Sequence, residues 1–367
     1  MVTPPDSPGH PFGVPRTPPG PRGSLLLGIA RELRRDQLGT YRRAMSAHGG
    51  VALLVAGPPG RRVRLHLVTH PDGVQQVLAG NAANYVKDTR FYRELTAALG
   101  DGLLTSDGQR WRRQRRTLAP LFAHGRIADY VPVMADEAVR LRRRWTAAAG
   151  SPARVDLHAE MVEYTLRVVG RALFGAAVDE AVPTIRATFP VLSQEVRRRA
   201  TAALPWPGRR LTAAQRELYA AVDAVVERRR RTPGDDGDLV SLLLAARDPG
   251  TGAPLSTQEV RDQLLIFLIA GHETTATERF GPAAASGRHR YAWFPFGGGP
   301  RACIGAQFAL TEAVVATAVV LAGHELRSDA APVPLATAVT LRPAGPAWCE
   351  VLPRQPAATV PARTRRP

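Results

Sequence analysis

Apolar residues along this chain recur mostly at helical spacing, interrupted by a few short alternating runs. Val63-Arg64-Leu65-His66-Leu67-Val68 alternates as a strand does, and His70-Pro71-Asp72-Gly73 then opens a helix carrying Val74, Val77 and Leu78. Helices are predicted within 103–122 and over 126–149, 156–175 and 210–231. Pro233-Gly234-Asp235-Asp236-Gly237 breaks the pattern as a linker, and Leu239 to Ala246 resumes it. Ser256-Thr257-Gln258-Glu259 reads as a capping box stapled by Leu255 and Val260. It predicts a helix from Ser256 through Leu264, Leu265, Phe267, Leu268 and Ile269 into Ala270-Gly271-His272-Glu273-Thr274-Thr275. A long apolar helix over about 306–321 follows, then a strand over Thr337–Leu341, stopped by Arg342-Pro343 and belonging to a final hairpin. The fold class is therefore mainly α with small β-sheets, and no internal repeat is visible.

With 367 residues, 44% of them hydrophobic, the chain can bury a substantial core. Residues 1–23 carry many Pro and Gly and are expected to be a mobile arm. Residues 354–367, rich in Pro and Arg, are expected to be a disordered tail, leaving 24–353 as a single domain. Leu25-Leu26-Leu27 is too short for the apolar core of a signal peptide. The longest apolar run, Ala313 to Gly323, is about half of the roughly 20 residues a membrane span needs. A cytoplasmic monomer without a membrane span is the expectation. Two cysteines, Cys303 and Cys349, do not make a disulfide framework.

The net charge of +17 raises nucleic-acid binding as a rival reading. Lys87 is the single lysine, so 48 of the 49 basic residues are arginine, a bias of GC-rich coding more than of phosphate contact. The runs Arg197-Arg198-Arg199 and Arg228-Arg229-Arg230-Arg231 fall at expected helix ends, where cations complement the dipole. Neither is interleaved with aromatics as a single-strand groove would be. No nucleic-acid partner is expected.

The chemistry concentrates in Phe296-Gly297-Gly298-Gly299-Pro300-Arg301-Ala302-Cys303-Ile304-Gly305. A cysteine thiolate is a haem-iron ligand that suits O2 activation. Gly299 and Gly305 can adopt backbone conformations closed to other residues, so that main-chain N–H groups approach the sulfur. Arg301 is placed to pair with a haem propionate, and Phe296 to keep water from the iron–sulfur bond. A lone buried cysteine beside a flexible glycine turn does not account for all five positions 296, 299, 301, 303 and 305. The segment resembles the haem-binding signature Phe-x-x-Gly-x-Arg-x-Cys-x-Gly of the cytochrome P450 family.

Two further segments share the resemblance. A mid-helix glycine costs roughly 1 kcal/mol against alanine, and a following threonine can bend the helix through its own carbonyl bond. In the P450 family, the helix crossing the distal haem face carries the pattern seen at Ala270, Gly271, Glu273 and Thr274, with O2 in the groove. The resemblance implies that Thr274 hydrogen-bonds the oxygen species and that Glu273 feeds the proton relay. Trp111 and Arg115 stand at i and i+4, so one helix face offers an indole N–H and a guanidinium to a buried carboxylate. Alone, Gly108 to Arg116 reads equally well as a solvated basic helix. In family order, Trp111 and Arg115 hold a propionate, and Pro120 and Phe122 continue the similarity.

Thr274 and Cys303 stand only 29 positions apart, whereas the family places several times as many residues there. Glu278-Arg279-Phe280 resembles the family's piece just before the haem loop, which puts a deletion junction near 277/278. The matches to Glu-x-x-Arg, such as Glu137 with Arg140 and Glu195 with Arg198, lie upstream of Thr274 and read as chance. From Glu278 to Pro295 no helical or strand pattern appears, unusual inside a compact domain. The expected fold is a cytochrome P450 fold, incomplete. The resemblance implies haem b (iron protoporphyrin IX), with Cys303 as the metal ligand. It also implies a monooxygenase of secondary metabolism that inserts one O2-derived oxygen atom into an apolar substrate. Electrons would come from NAD(P)H through ferredoxin and ferredoxin reductase. A terpenoid, fatty acyl or macrolide-like substrate would meet Tyr85, Phe91, Tyr92, Leu95, Phe189, Leu192 and Trp206, in the loop over about 85–101 and near 190–206. The alternative is a catalytically impaired remnant of the same family.

Overall fold

The computed structural model describes residues 17–148, 153–175, 178–201, 212–232, 237–272, 287–329, 333–337 and 341–354. The chain forms two compact units, one of residues 1–85 with 280–302 and the other of 86–279 with 303–367. Spacing alone could not show this, because the division depends on which distant segments meet.

In the first unit, α1 (Ala30–Arg35) and α2 (Gln37–His48) precede an antiparallel hairpin of β1 (Val51–Ala56) and β2 (Val63–Val68), as the alternation over 63–68 predicts. Asp36 caps α2 by accepting from the Gly39 N–H at 2.8 Å. Ile29, Ala44, Ala52 and Leu54 form its small core. α3 (Pro71–Gln75) opens after His70 and runs into a π-turn over Gln76–Gly80. Of the arm expected over 1–23, residues 1–16 lie outside the described residues. From Pro19 the chain is tied to β1, its carbonyl accepting from the Leu53 N–H at 2.9 Å.

The second unit holds α4 (Arg90–Leu99), α5 (Gly108–Leu118), α6 (His124–Ala148), β3 (Ala153–Asp156), α7 (Leu157–Phe174) and α8 (Val178–Thr201). It continues with α9 (Ala213–Arg231), α10 (Leu239–Ala245), α11 (Thr257–His272) and α12 (Ala306–Leu321). β4 (His324–Ser328), β5 (Leu335–Thr337), β6 (Leu341–Pro343) and β7 (Trp348–Pro353) complete it. The predicted helices over 126–149, 156–175, 210–231 and 306–321 are present within a few residues. α8 ends as expected at Arg197-Arg198-Arg199, and its earlier turns run through Pro183 and Pro190, which hide their helical pattern from sequence reading. α4 replaces the loop expected before α5, started by Thr89, whose hydroxyl accepts from the Tyr92 N–H. The strand expected over Thr337–Leu341 is instead the end of β5 and the start of β6, with 338–340 outside the described residues. The three-stranded sheet β3-β7-β4 is antiparallel throughout, joining Val155 to Cys349 and Leu326 to Val351. The tail expected over 354–367 begins with Arg354 bonded to the Gly323 and Leu321 carbonyls, and 355–367 lie outside the described residues.

The core of this unit is built on α11. Leu264 to Leu268 are at most 8% exposed, so the helix is buried on every side. The capping box forms as predicted: Ser256 N–H donates to Glu259 Oε2 at 2.9 Å, and Glu259 N–H to the Ser256 hydroxyl at 3.2 Å. α6 and α7 are clamped by Arg167 on Glu137 at 2.7 Å, with Arg171 on the same carboxylate at 3.1 Å. Glu137 thus pairs across helices rather than with Arg140, as a chance Glu-x-x-Arg match should. Glu195, by contrast, does pair with Arg198, on an exposed helical turn that also engages Arg199.

Two predictions follow from this packing. A Cβ at Gly271 would lie 2.5 Å from Val169 Cγ2 of α7. Gly271→Ala should therefore cost about 1–3 kcal/mol by overpacking, and Val169→Ala in the same chain should recover most of it in urea melts. Glu312, 4% exposed in α12, has its carboxyl pushed well above the usual range by burial. The folded chain then binds that proton more tightly than the unfolded chain, so this contribution is complete at low pH and is lost as pH rises. Glu312→Gln should raise the melting temperature by a few degrees at about pH 8 and leave it unchanged near about pH 4.

Candidate functional site

In the second unit, Asp107 caps α5 by accepting from the Gly108 N–H at 2.8 Å. Trp111 and Arg115 follow, both half-buried, with Trp111 packed on the main core. Between them Gln114 is fully buried, accepting from the Ser106 hydroxyl at 2.7 Å and donating to the Asp101 carbonyl at 2.9 Å. The loop that Gln114 grips is itself held by α11. Asp101 N–H donates to Asp262 Oδ2 at 2.9 Å, and Leu103 N–H to Gln263 Oε1 at 3.0 Å. Arg113 forms an ion pair with Glu259. Sequence reading missed these residues; the available signal was Asp262-Gln263 standing polar at the edge of an apolar run.

Cys303 lies just ahead of α12. The residue is exposed, yet packing around its sulfur desolvates the thiol and pushes its pKa up. A hydrogen bond from the Gly305 main-chain N–H and the positive charge of Arg115 act in the opposite direction, favouring the thiolate. Arg115 is pressed below its usual range by its own desolvation, and the charge of Cys303 opposes that shift. The structure therefore brings Arg115 and Cys303 into one electrostatic environment. This donor set fits a haem-bound thiolate, since metal coordination deprotonates a thiol and leaves an anion that needs these partners. Gly305 corrects one expectation: it has φ −91 and open space where a Cβ would stand. Its position ahead of α12 requires no special backbone conformation.

Phe296, Gly299 and Arg301 belong to the first unit. Gly299 has φ +66, and a Cβ there would meet the Leu78 carbonyl oxygen at 1.8 Å, so both its conformation and its close approach demand glycine. Pro300 starts a 3-10 turn over Gly299–Arg301, closed by the Ala302 N–H on the Gly299 carbonyl at 3.1 Å. The buried Tyr291 ring lies over Gly298, leaving no room for a Cβ. Phe296 and Arg301 are both half-buried.

Ala270, exposed, and Gly271 lie in the last described turn of α11, which ends at His272. Glu273 and Thr274 lie outside the described residues. Leu95 and Phe189 gather with Ile269 of α11 in one apolar cluster, with Phe91 and Tyr92 packed against it. Leu192 joins the main core instead, Tyr85 is exposed in the first unit, and Trp206 lies outside the described residues. Among the described residues, no helix is long and apolar enough to cross a membrane.

The family model described as Cytochrome P450 matches residues 18–278 and 277–349, two stretches that adjoin at 277 and 278. Cyclooctatin synthase of Streptomyces melanosporofaciens is 35% identical over 291 residues, covering 77% of this chain and 59% of that protein. Cyclooctat-9-en-7-ol 5-monooxygenase of the same organism is 36% identical over 287 residues, covering 75% and 60%. The chain thus spans about three-fifths of the length of these relatives. The crystal structure of cytochrome P450DA heme domain superposes with a TM-score of 0.72 at 21% identity, over 92% of this chain and 98% of that one, a likeness of fold. With a family match covering most of its length and a cysteine loop carrying all five signature residues, this chain belongs to the cytochrome P450 family.

Proposed function

We propose that this chain is a haem-thiolate monooxygenase, and the observation that carries the proposal is the placing of Phe296, Gly299, Arg301, Cys303 and Gly305 in a chain that the Cytochrome P450 model matches over most of its length. Haem b, the family's cofactor, would supply O2 activation for the insertion of one oxygen atom into a C–H bond. Cys303 would bind the iron. Gly305 would hold the sulfur's negative charge by its N–H, drawing the ligand's electron density back toward the protein. Arg115 and Trp111, one turn apart on α5, would take a propionate by charge and by the indole N–H. The roles given to Phe296, Gly299 and Arg301 at the haem loop, and to Ala270 and Gly271 beside the oxygen groove, rest on the family motifs. So do those of Glu273, which would pass a proton from its carboxyl, and Thr274, which would hold one at its hydroxyl.

The substrate is proposed to be an apolar small molecule of secondary metabolism, in keeping with the largely hydrocarbon alcohol named for one relative. The cluster of Phe91, Tyr92, Leu95, Phe189 and Ile269 supplies apolar surface of that character. Ferredoxin and ferredoxin reductase, fed by NAD(P)H, are the proposed electron source, and a cytoplasmic monomer the proposed state. A nucleic-acid role gains no support, because Arg198, Arg199 and Arg229 are engaged with Glu195 and Asp238.

A second reading is favoured by the family match in two adjoining stretches: the segment between them is missing at 277/278, and the chain is an impaired remnant. The two readings separate in one experiment. The reduced, carbon-monoxide-bound difference spectrum should show a thiolate-type Soret band that Cys303→Ser abolishes; a histidine-type band or no haem would support the remnant. Arg115→Ala should lower haem retention on gel filtration several-fold and leave the melting temperature of the haem-free protein within a few degrees.

A further inference from the structure

Lys87 is the one lysine of a chain in which arginine fills the other 48 basic positions. Its ammonium donates to the Leu104 carbonyl at 2.5 Å and lies 5.2 Å from the centroid of the Tyr92 ring. Its main-chain N–H donates to Asp107 Oδ2 at 2.6 Å, the carboxylate that also caps α5. One half-buried residue thus engages the first turn of α4, the loop before α5 and the cap of α5. That loop, residues 101–107, is held separately by Asp262 and Gln263 of α11. The Leu104 side chain packs against both the main core and the apolar cluster of Leu95, Phe189 and Ile269, and Tyr92 packs against the same cluster. Lys87 therefore joins two segments that each contribute a side chain to that cluster: α4 through Tyr92 and the loop through Leu104.

We propose that Lys87 is a positioning residue for the monooxygenase reaction, an inference resting on the function proposed above. Its ammonium latches the loop over 101–107 to α4 and so fixes the rim of the apolar cluster that would receive the substrate. The head group suits this task. An ammonium is compact and carries three donors directed apart, so it can hold a carbonyl by a charge-assisted bond while its charge faces an aromatic ring. Arginine would bring the same charge on a wider head whose donors are confined to one plane. Lys87 acts through Tyr92 and Leu104, and loss of its side chain should loosen the loop without emptying the core, because Leu103 beneath it stays bonded to Gln263.

The test measures the latch and the site separately. Amide hydrogen exchange over 101–107 should be at least about tenfold faster in Lys87→Met than in the parent chain, with α6 and α7 unchanged and the melting temperature within a few degrees. Tyr92→Leu should give a similar increase, and the double variant no more than either alone. Lys87→Arg should behave as Lys87→Met does. In the haem-loaded chain, phenylimidazole, an apolar ligand of the iron, should bind several-fold faster to Lys87→Met. Unchanged exchange in Lys87→Met, or additive effects of the two substitutions, would overturn the inference. Full recovery in Lys87→Arg would overturn the demand for an ammonium. Faster exchange with an unchanged rate of phenylimidazole binding would overturn the role at the site and leave the monooxygenase reading intact. A parent chain without the thiolate-type band would overturn that reading and the role at the site with it, whichever way the exchange measurement falls.

Discussion

A helix buried on every side through its middle turns needs partners for the polar groups it carries, and α11 finds them for its carboxylates and for the Gln263 carbonyl, while Gln263 Nε2 has no hydrogen-bond partner. Glu259, Asp262 and Gln263 stand near its start, where an unpaired carboxylate or amide would cost several kcal/mol. Glu259 closes the capping box and meets Arg113, while Asp262 and Gln263 accept the Asp101 and Leu103 N–H groups. Desolvation raises the Asp262 pKa, and the Asp101 N–H works against it. The loop so captured is gripped from the other side by Gln114. The placement of α5, and with it Trp111 and Arg115, therefore depends on polar residues of α11 that touch neither.

The cysteine loop obeys a different economy of charge. Desolvation alone would keep Cys303 a thiol, and the nearby N–H and guanidinium lean the other way without winning. Coordination to a metal tips such a balance, because the ion's own charge removes the proton. Cys349, buried in β7 with its S–H on the Glu350 carbonyl, is likewise desolvated and accepts from the Arg327 N–H, but its charged neighbours are the Asp329 and Glu350 carboxylates, which favour the thiol.

Family membership and structural completeness come apart in this chain. The family match resumes on either side of 277/278, and α5, α11 as far as His272, and α12 are formed. α12 nevertheless has a composition suited to full burial and a solvent-facing stripe of Leu310, Val314 and Leu321. Helical spacing and core packing of the inner face suffice to hold the helix. Nothing in those two terms requires the outer face to be covered.

The bounds of α7, α9 and α12, the start of α11 at its Ser256 capping box and the glycine demand at Gly299 were legible in the sequence. Each depends on groups within a few residues: a cap and its N–H, an apolar stripe at i and i+4, a positive φ. The cysteine loop was legible because five residue types at fixed spacing exclude simpler readings. The pairing of β3 with β7, the helix α8 across two prolines, the Val169 neighbour that makes Gly271 a packing residue, and the division into two units were not. These were decided by the tertiary structure, since they join positions far apart in sequence whose meeting leaves no periodicity behind. Even at the site, sequence order suggested that Arg115 and Cys303 belong together, but only the tertiary fold brings the Arg115 charge close enough to act on the Cys303 sulfur.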